Sequence, residues 1–274
     1  MSIKQHSILL LYVWLTLFGL LPLLLMLITS TLTPDINHWV KLPFTMQHYV
    51  DLMHPNIISI FCRSLLIALL TTVLCLLLAF PVSYWIVKSR NKSVCILLII
   101  IPFWTSSLVR TYALLALFKY KGVLNTILLY LHCITTPLSL LYSNTAVIIG
   151  LVYTLFPFMV LPLFASMERF DYHLIEAAQD LGASRLTIFW RIFVPMNRTG
   201  IISGCILVLL PAMTIFYIPN VLGGARSLML GNLIQNQFLL FENWPAGSAT
   251  SVMLSFCLLS IIWIYHHYNK GIFT

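Results

Sequence analysis

Apolar residues run along this chain in long uninterrupted stretches, and charged residues fall mainly in the short segments between them. A bilayer core about 30 Å thick is crossed by roughly 20 residues of α-helix. Stretches of that length predict an all-α membrane protein with a single domain, 1–274, and six transmembrane helices. The predicted spans are residues 8–30, 64–87, 94–118, 144–166, 199–219 and 247–266. The first of them is longer than a secretory signal core and lacks a small-residue cleavage site, which indicates a retained span.

Basic residues predict the direction in which these helices cross the membrane. Lys88, Arg90 and Lys92 form one cluster, and the segment 167–198 carries four arginines. The positive-inside rule places both groups in the cytoplasm, so an even number of spans must separate them. This leaves residues 119–143 outside and predicts that both termini are cytoplasmic.

Composition supports the membrane assignment and excludes other classes. Only 8% of the residues are charged, whereas a soluble domain carries about a quarter, and the mean hydropathy is +0.97. Most of the surface must therefore face lipid. The formal net charge of +8 comes from scattered basic residues that form no continuous stripe, which argues against nucleic-acid binding.

Motifs of metal binding and catalysis are absent from the sequence. The six cysteines form no C-x-x-C pair, so we expect neither a disulfide framework nor a metal site. No H-E-x-x-H or G-x-S-x-G occurs, and no G-x-x-x-x-G-K-[ST] is present to bind nucleotide phosphates. The chain is therefore predicted not to be an enzyme and to have no catalytic residues or cofactor of its own.

The polar segment 167–198 predicts two short helices joined by a turn. Asp171 is placed to cap the first helix and Ser184 the second, Gly182 is suited to the turn, and Pro195 is expected to end the second helix. Apolar residues recur at helical spacing, so each helix has one apolar face. Two interpretations follow from this pattern: the helices lie in the membrane interface, or they dock onto a partner protein.

The same segment contains an extended motif. Glu176, Ala177 and Ala178 are followed after three residues by Gly182 and after nine more by Ile192-x-Val194-Pro195. This resembles the EAA loop of binding-protein-dependent ABC importer permeases, E-A-A, three residues, G, nine residues, I-x-L-P, with valine replacing the usual leucine. The resemblance implies a type I importer fold and a cytoplasmic coupling helix that enters a groove of a separate ATP-binding subunit. The implied coupling residues are Glu176, Ala177, Ala178, Gly182, Ile192 and Pro195.

Other segments extend the resemblance over nearly the whole chain. They are 102–112 (PFWTSSLVRTY), 149–153, 157–160, 210–213, 220–225, 231–234 and 244–245. Together they resemble the spermidine/putrescine permeases, most closely the PotB-type subunits. That family implies an inner-membrane location, a PotC-like second permease, a homodimer of ATP-binding subunits that holds the ATP and Mg²⁺, and a periplasmic polyamine-binding protein.

The predicted spans contain no acidic residue, so this chain offers no buried carboxylate pair for a polyamine. Aromatic faces and neutral oxygens would have to pass the cation along, which singles out Trp104, Tyr153, Tyr217 and Asn220. Tyr and Trp also anchor helices at the membrane interface, so this second interpretation stays open. Arg63 and Arg110 fall near span ends and are expected to snorkel.

Two further features bear on function and packing. Gly200 and Gly204 form a G-x-x-x-G pair that would allow close helix packing. The alternative function is an ion-gradient-driven secondary transporter of a small solute. Such proteins usually carry ionisable residues within spans and paired inverted halves, and this sequence shows neither plainly.

Overall fold

The computed structural model describes residues 3–35, 40–224 and 227–269, with no description of the side chains of 3–7, 9 and 264–269. Ala225 of the 220–225 motif and the C-terminal residues from Lys270 therefore lie outside the described residues. The chain divides into two compact units. Unit one comprises Met1–Phe61 and Gly231–Thr274, and unit two comprises Cys62–Leu230.

Helices dominate both units. The helices are α1 Ile3–Leu15, α2 Leu21–Thr29, α3 Gln47–Leu52, α4 Pro55–Lys88, α5 Lys92–Ile100, α6 Ser107–Phe118, α7 Val123–Tyr130, α8 Asn144–Glu168, α9 His173–Asp180, α10 Arg185–Ile188, α11 Val194–Met196, α12 Arg198–Thr214, α13 Leu230–Leu239 and α14 Trp244–Asn269. Wider π-helical turns occur at Thr16–Leu20, Phe189–Phe193 and Pro219–Gly223, and a 3₁₀ turn at Ile101–Trp104. Two short strands, β1 Leu32–Thr33 and β2 Lys41–Phe44, pair antiparallel.

Within the described residues, five helical stretches are long and apolar enough to cross a membrane. They are Leu10–Thr29, Pro55–Lys88, Ser107–Tyr130, Asn144–Glu168 and Trp244–Trp263. A sixth is counted if Arg185–Met196 and Arg198–Thr214, which meet at a bend of 65°, are taken as one span. The third stretch includes α7, in a region that the sequence analysis leaves outside the membrane.

The span predicted at 94–118 is divided between α5 and α6. Pro102 lies in the 3₁₀ turn after α5, and its missing N–H cannot continue the α-helical hydrogen bonds. Thr105 then has extended backbone, and its hydroxyl donates to the Pro102 carbonyl at 2.7 Å. Arg110 therefore lies in the first turns of a separate helix and not near the end of one continuous span.

In unit one, α14 packs along α2 and α3. The Thr29 hydroxyl donates to the Ser248 hydroxyl at 2.8 Å, and Thr250 on α14 donates to Gln237 on α13 at 2.8 Å. Ser30 at the end of α2 is bonded to the Tyr49 hydroxyl on α3 at 2.7 Å. Hydrogen bonds of this kind satisfy polar side chains between packed helices.

In unit two, α8 forms the centre of the core. Leu151, Leu155, Met159, Leu163 and Met167 recur every fourth residue along one face of α8, and all are fully buried. Hydrogen bonds between α4 and α8 join early residues to early residues and later residues to later residues. Arg63 bonds to Asn144 at 2.9 Å, and Ser83 bonds to the Val160 carbonyl at 3.3 Å. The two helices therefore run parallel.

The α8–α12 pair is closely packed because α12 presents glycines to α8. A Cβ at Gly200 would collide with the Ser166 side chain and lie 2.8 Å from the Pro162 carbonyl oxygen. A Cβ at Gly204 would lie 2.6 Å from the Met159 sulfur. The G-x-x-x-G pair thus allows close helix approach, as the sequence analysis expects.

Candidate functional site

The EAA segment, residues 171–197, begins with an Asp171 contact. The Asp171 carboxylate accepts a hydrogen bond from the His173 backbone N–H at 3.0 Å, and α9 starts at His173. The cap predicted from the sequence is Asp171 itself. The structure has Tyr172 in the cap position and Asp171 one residue earlier, where its carboxylate still satisfies one free N–H of the first turn.

The turn after α9 is a Schellman motif. Gly182 has a φ of +80°, its N–H donates to the Gln179 carbonyl at 2.9 Å, and the Ala183 N–H donates to the Ala178 carbonyl at 3.0 Å. The left-handed conformation is readily available only to glycine, which explains the glycine of the motif. Ser184 then accepts from the Thr187 N–H at 3.3 Å and starts α10, as predicted.

The second half of the segment is helical up to Met196, one residue beyond the predicted end at Pro195. A π-helical turn, Phe189–Phe193, precedes this proline, and α11 carries it in its first turn. The chain then bends by 65° at Asn197.

Asn197 is a buried residue that holds this bend, and the sequence analysis did not identify it. Its Nδ2 donates to the Phe193 carbonyl at 2.8 Å, and its Oδ1 accepts from the Ser166 hydroxyl on α8 at 3.1 Å. The first contact satisfies a carbonyl at the end of the helix, and the second ties the bend to the core helix.

An aromatic cluster anchors the EAA segment on α4. Phe193, only 4% exposed, lies at its centre with the ring centroids of Phe80, Tyr84 and Phe170 at 5.9, 5.6 and 5.2 Å. All three pairs are edge-to-face, which is a favoured geometry for aromatic rings. The cluster thus fixes the segment to the end of α4.

Most residues of the motif face away from this anchor. Glu176, Ala177, Gly182 and Pro195 are exposed, whereas Ile192 is half-buried and Ala178 is buried against its own chain. The alanine pair is therefore split, since only Ala177 is free for close approach by another protein.

Apolar side chains surround the exposed part of the motif. Leu181 at the turn is 88% exposed, Trp190 is 65% exposed, and Leu186 is similarly open. Apolar side chains this exposed around one turn are typical of an interaction surface.

The acidic side chains on and beside α9 change the pKa of its histidine, His173. His173 Nδ1 lies 3.1 Å from Glu176 Oε2. The hydrogen bond with Glu176, and then the charges of Glu176 and Asp171, raise the pKa of His173 above its usual value. Burial raises the pKa of Tyr172, with a further contribution from Tyr84. Because α9 carries Glu176 and Asp180 and no lysine or arginine, its exposed face has little affinity for anionic lipid headgroups.

The four predicted pathway residues have different surroundings. Tyr153 lines a cavity of about 400 Å³ with Phe103 and Arg110. Trp104 is 78% exposed, and its ring makes no ring contact within the described residues. Tyr217 packs edge-on against Phe216 at 6.1 Å, and Asn220 is exposed.

Arg110 does not snorkel, contrary to the sequence expectation. It is 9% exposed, and its guanidinium lies 4.7 Å from the Phe103 ring centre and 6.0 Å from that of Tyr153. Arg110 lies on α6, just after the break at Thr105, and lines a cavity with residues of α5 and α8. Arg63, in contrast to Arg110, has a hydrogen-bond acceptor: its guanidinium donates to the side-chain oxygen of Asn144 at 2.9 Å.

These features define a class of protein: a helical membrane protein with several candidate spans and an exposed, motif-bearing helical turn. Residues 79–274 match the family described as the binding-protein-dependent transport system inner membrane component. The spermidine/putrescine transport system permease protein PotB of Escherichia coli strain K12 is 45% identical over 254 residues, which cover 92% of each chain. PotB of Haemophilus influenzae is 40% identical over 269 residues, covering 97% of this chain and 94% of the relative.

Solved structures agree on the fold. A bacterial alginate ABC transporter, in complex with an alginate-pentasaccharide-bound periplasmic protein, matches with a TM-score of 0.79 at 15% identity, over 98% of this chain and 94% of its own. A second structure, of a bacterial ABC transporter for alginate import, matches with a TM-score of 0.80 over 99% and 96% of the two chains.

The chain belongs to the family of binding-protein-dependent transport system inner membrane components. It is a permease subunit of an ABC importer, a non-catalytic multi-pass component of the inner membrane. Such a subunit works with a partner permease, an ATPase and a periplasmic binding protein. The predicted family, fold class and non-enzymatic role are thereby confirmed.

Proposed function

We propose that this chain is the PotB-type permease of a polyamine importer, and that it forms the pathway for spermidine or putrescine with a PotC-like second permease. The substrate is assigned on the basis of the 45% identity to E. coli PotB over 92% of both chains. In this assembly the ATP and Mg²⁺ are held by a homodimer of ATP-binding subunits, and a periplasmic polyamine-binding protein delivers the substrate.

The EAA segment is proposed as the surface on which the ATP-binding subunit docks. Glu176, Ala177 and Gly182 present an exposed face with no bulky side chain at two of three positions, which suits close approach of another backbone. Leu181 projects at the turn, where it can enter a groove. Ile192 and Pro195 belong to the second helix of the segment, and Ala178 is buried on α9. The acidic character of α9 favours docking on a protein over lying on anionic headgroups.

Trp104, Tyr153, Tyr217 and Asn220 are proposed to contact the passing polyamine. The position of Arg110 limits Tyr153 in this role, because a substrate ammonium at that ring would lie near the Arg110 guanidinium unless an anion pairs with it. Contacts at Tyr153 would therefore be weaker than at a ring with no cation beside it, which suits a conduit.

The proposal predicts uptake of labelled spermidine or putrescine in cells that lack their own polyamine importers. Uptake should require this chain, the second permease, the ATP-binding subunit and the binding protein together, because the permease holds no energy source. Omitting each subunit in turn provides the controls. Uptake by this chain alone, driven by an ion gradient and insensitive to ATP depletion, would instead establish the secondary-transporter alternative.

A further inference from the structure

Arg110 is a buried positive charge with no anionic partner among the residues that the structure describes. Its Nε is buried and has no hydrogen-bond partner within the described residues. The two aromatic rings beside it, Phe103 and Tyr153, supply cation–π contact but no acceptor in hydrogen-bond geometry. An isolated buried charge is costly unless an opposite charge pairs with it.

The chain itself cannot supply that charge. All seven Asp and Glu residues lie outside the interiors of the long helices. Glu168, the acidic residue on α8, is fifteen residues from Tyr153, or about 22 Å along the helix. An anion that pairs with Arg110 would therefore come from outside this polypeptide.

The Arg110 cavity, of about 400 Å³, has apolar walls apart from the guanidinium. Leu78 and Val82 of α4, Leu98 and Ile99 of α5, and Phe156 and Pro157 of α8 line it. Both Leu78 and Leu98 are exposed, so the cavity opens at a surface of unit two. An apolar opening with one cationic end is complementary to an apolar helix that carries one acidic side chain.

The depth of the cavity argues against a lipid headgroup as the anion. Tyr153 lies nine residues, about 14 Å, from the start of α8, and Leu78 lies ten residues, about 15 Å, from the end of α4. Because α4 and α8 run parallel, both distances place the cavity near the middle of the helices. Phosphate groups lie at the edges of a hydrocarbon core about 30 Å thick, so they are out of reach.

We propose that the Arg110 cavity receives a transmembrane helix of the second permease, and that a carboxylate on that helix pairs with the Arg110 guanidinium. The inference rests on the proposed pairing with a second permease. The ion pair would be buried in hydrocarbon, where few other partners compete, and would thus specify which permease is bound and in which register.

The experiment uses the whole importer, purified through a tag on this chain. Arg110→Glu should reduce the amount of second permease that co-purifies by at least tenfold, whereas Arg110→Lys should stay within about threefold of the unmodified protein. Lys121→Glu, the same charge change at an exposed position after α6, should leave recovery unchanged.

The decisive arm is a charge exchange. Each acidic residue in the spans of the second permease is changed to Arg in combination with Arg110→Glu. One such combination should restore recovery, even if Arg110→Glu alone fails to accumulate. Normal recovery with Arg110→Glu, or no restoration by any exchange, overturns the proposal. Loss of a bound anionic lipid in native mass spectrometry with the second permease retained also overturns it and identifies a lipid site. Failure of the unmodified chain to recover a second permease would refute the pairing itself.

Discussion

Gly182 has its left-handed conformation in open space, since no residue beyond its two chain neighbours has an atom within 4 Å of the position that its Cβ would occupy. A substitution there meets no steric obstacle from neighbours, so its effect comes from the backbone alone. For a β-branched residue, a positive φ costs about 1–2 kcal/mol. Gly182 is thus a position where the turn can be perturbed without disturbing the packing of unit two.

Gly182→Val should distort the turn of the EAA segment and reduce both the ATPase recovered with the permease and polyamine uptake. Gly182→Asn is the matched control, because asparagine tolerates the left-handed region far better than valine. The readouts are co-purified ATPase and uptake in the same cells. If the segment lies on the membrane instead of docking, valine should leave ATPase recovery normal.

His173 provides a second test at the residue scale. Its pKa is raised in the folded protein through Glu176, so its contribution to stability is present below the unfolded pKa, about 6.5. That contribution is lost as the pH rises through the higher folded pKa. An NMR titration of His173, assigned with His173→Gln, should therefore show a midpoint above 6.5.

Glu176→Gln removes the charge that raises this pKa, so the His173 midpoint should move back towards 6.5. A midpoint that does not change in Glu176→Gln would contradict the hydrogen bond seen between the two side chains. Glu176→Asp is the control that keeps the charge.

Single residues with a local role were predictable, and those with a long-range role were not. Gly182 and Ser184 act on neighbours within a few positions, so turn and capping preferences identify them from sequence. Arg110 and Asn197 act through residues distant in the chain, Tyr153 and Ser166. No periodicity or propensity indicates such contacts.

At the scale of elements, the second helix of the EAA segment depends on the aromatic cluster. Its π-helical turn brings Phe189 and Phe193 onto the same side, with ring centroids 6.3 Å apart. Phe189 also packs against Phe80 of α4 at 5.6 Å. The position of this helix is therefore fixed by rings that belong to another part of the chain.

Phe193→Ala should loosen the EAA segment, since removing a buried phenylalanine typically costs about 3–5 kcal/mol. Trp190→Ala is the control for losing an aromatic ring at an exposed position of the same turn. Thermal unfolding in detergent should show a lower midpoint for Phe193→Ala than for Trp190→Ala. Equal midpoints would mean that the cluster does not support the fold.

The elements themselves were only partly predictable from sequence. The long apolar runs indicate α4, α8 and α14, because hydrophobicity alone determines a span. The division between α5 and α6 was missed. Pro102 occurs in a sequence as apolar as a span, and prolines within α4, α8 and α12 do not interrupt those helices. Whether a proline breaks a helix depends on whether neighbouring groups can hydrogen-bond the backbone carbonyl that the proline leaves without a donor.

At the scale of the molecule, the proposed orientation places both termini and both basic clusters in the cytoplasm. The structure supports a shared end for the two clusters, because Lys92 Nζ lies 3.3 Å from Glu168 Oε1. Reporter fusions after residue 92 and after residue 269 should report inside, and a fusion within 131–137 should report outside. A fusion after residue 269 that reports outside would refute the orientation.

The class of protein was predictable at this scale because the EAA motif and the span pattern are properties of the sequence. The arrangement of the helices within each unit was not. The parallel run of α4 and α8 and the close α8–α12 contact arise from side chains far apart in the chain, such as Ser83 with the Val160 carbonyl. Hydropathy counts spans but does not pair them.

The glycine contacts between α12 and α8 have a mechanical consequence. If α12 slid by one turn along α8, one glycine would take the place of the other, and a larger side chain such as Val208 would enter the remaining contact, where even a Cβ is too close. Rotation about the contact meets no such obstacle. The EAA segment continues into α12 through the hydrogen-bonded bend at Asn197. A displacement of that segment would therefore rotate α12 about its contact with α8 and would not translate α12 along α8.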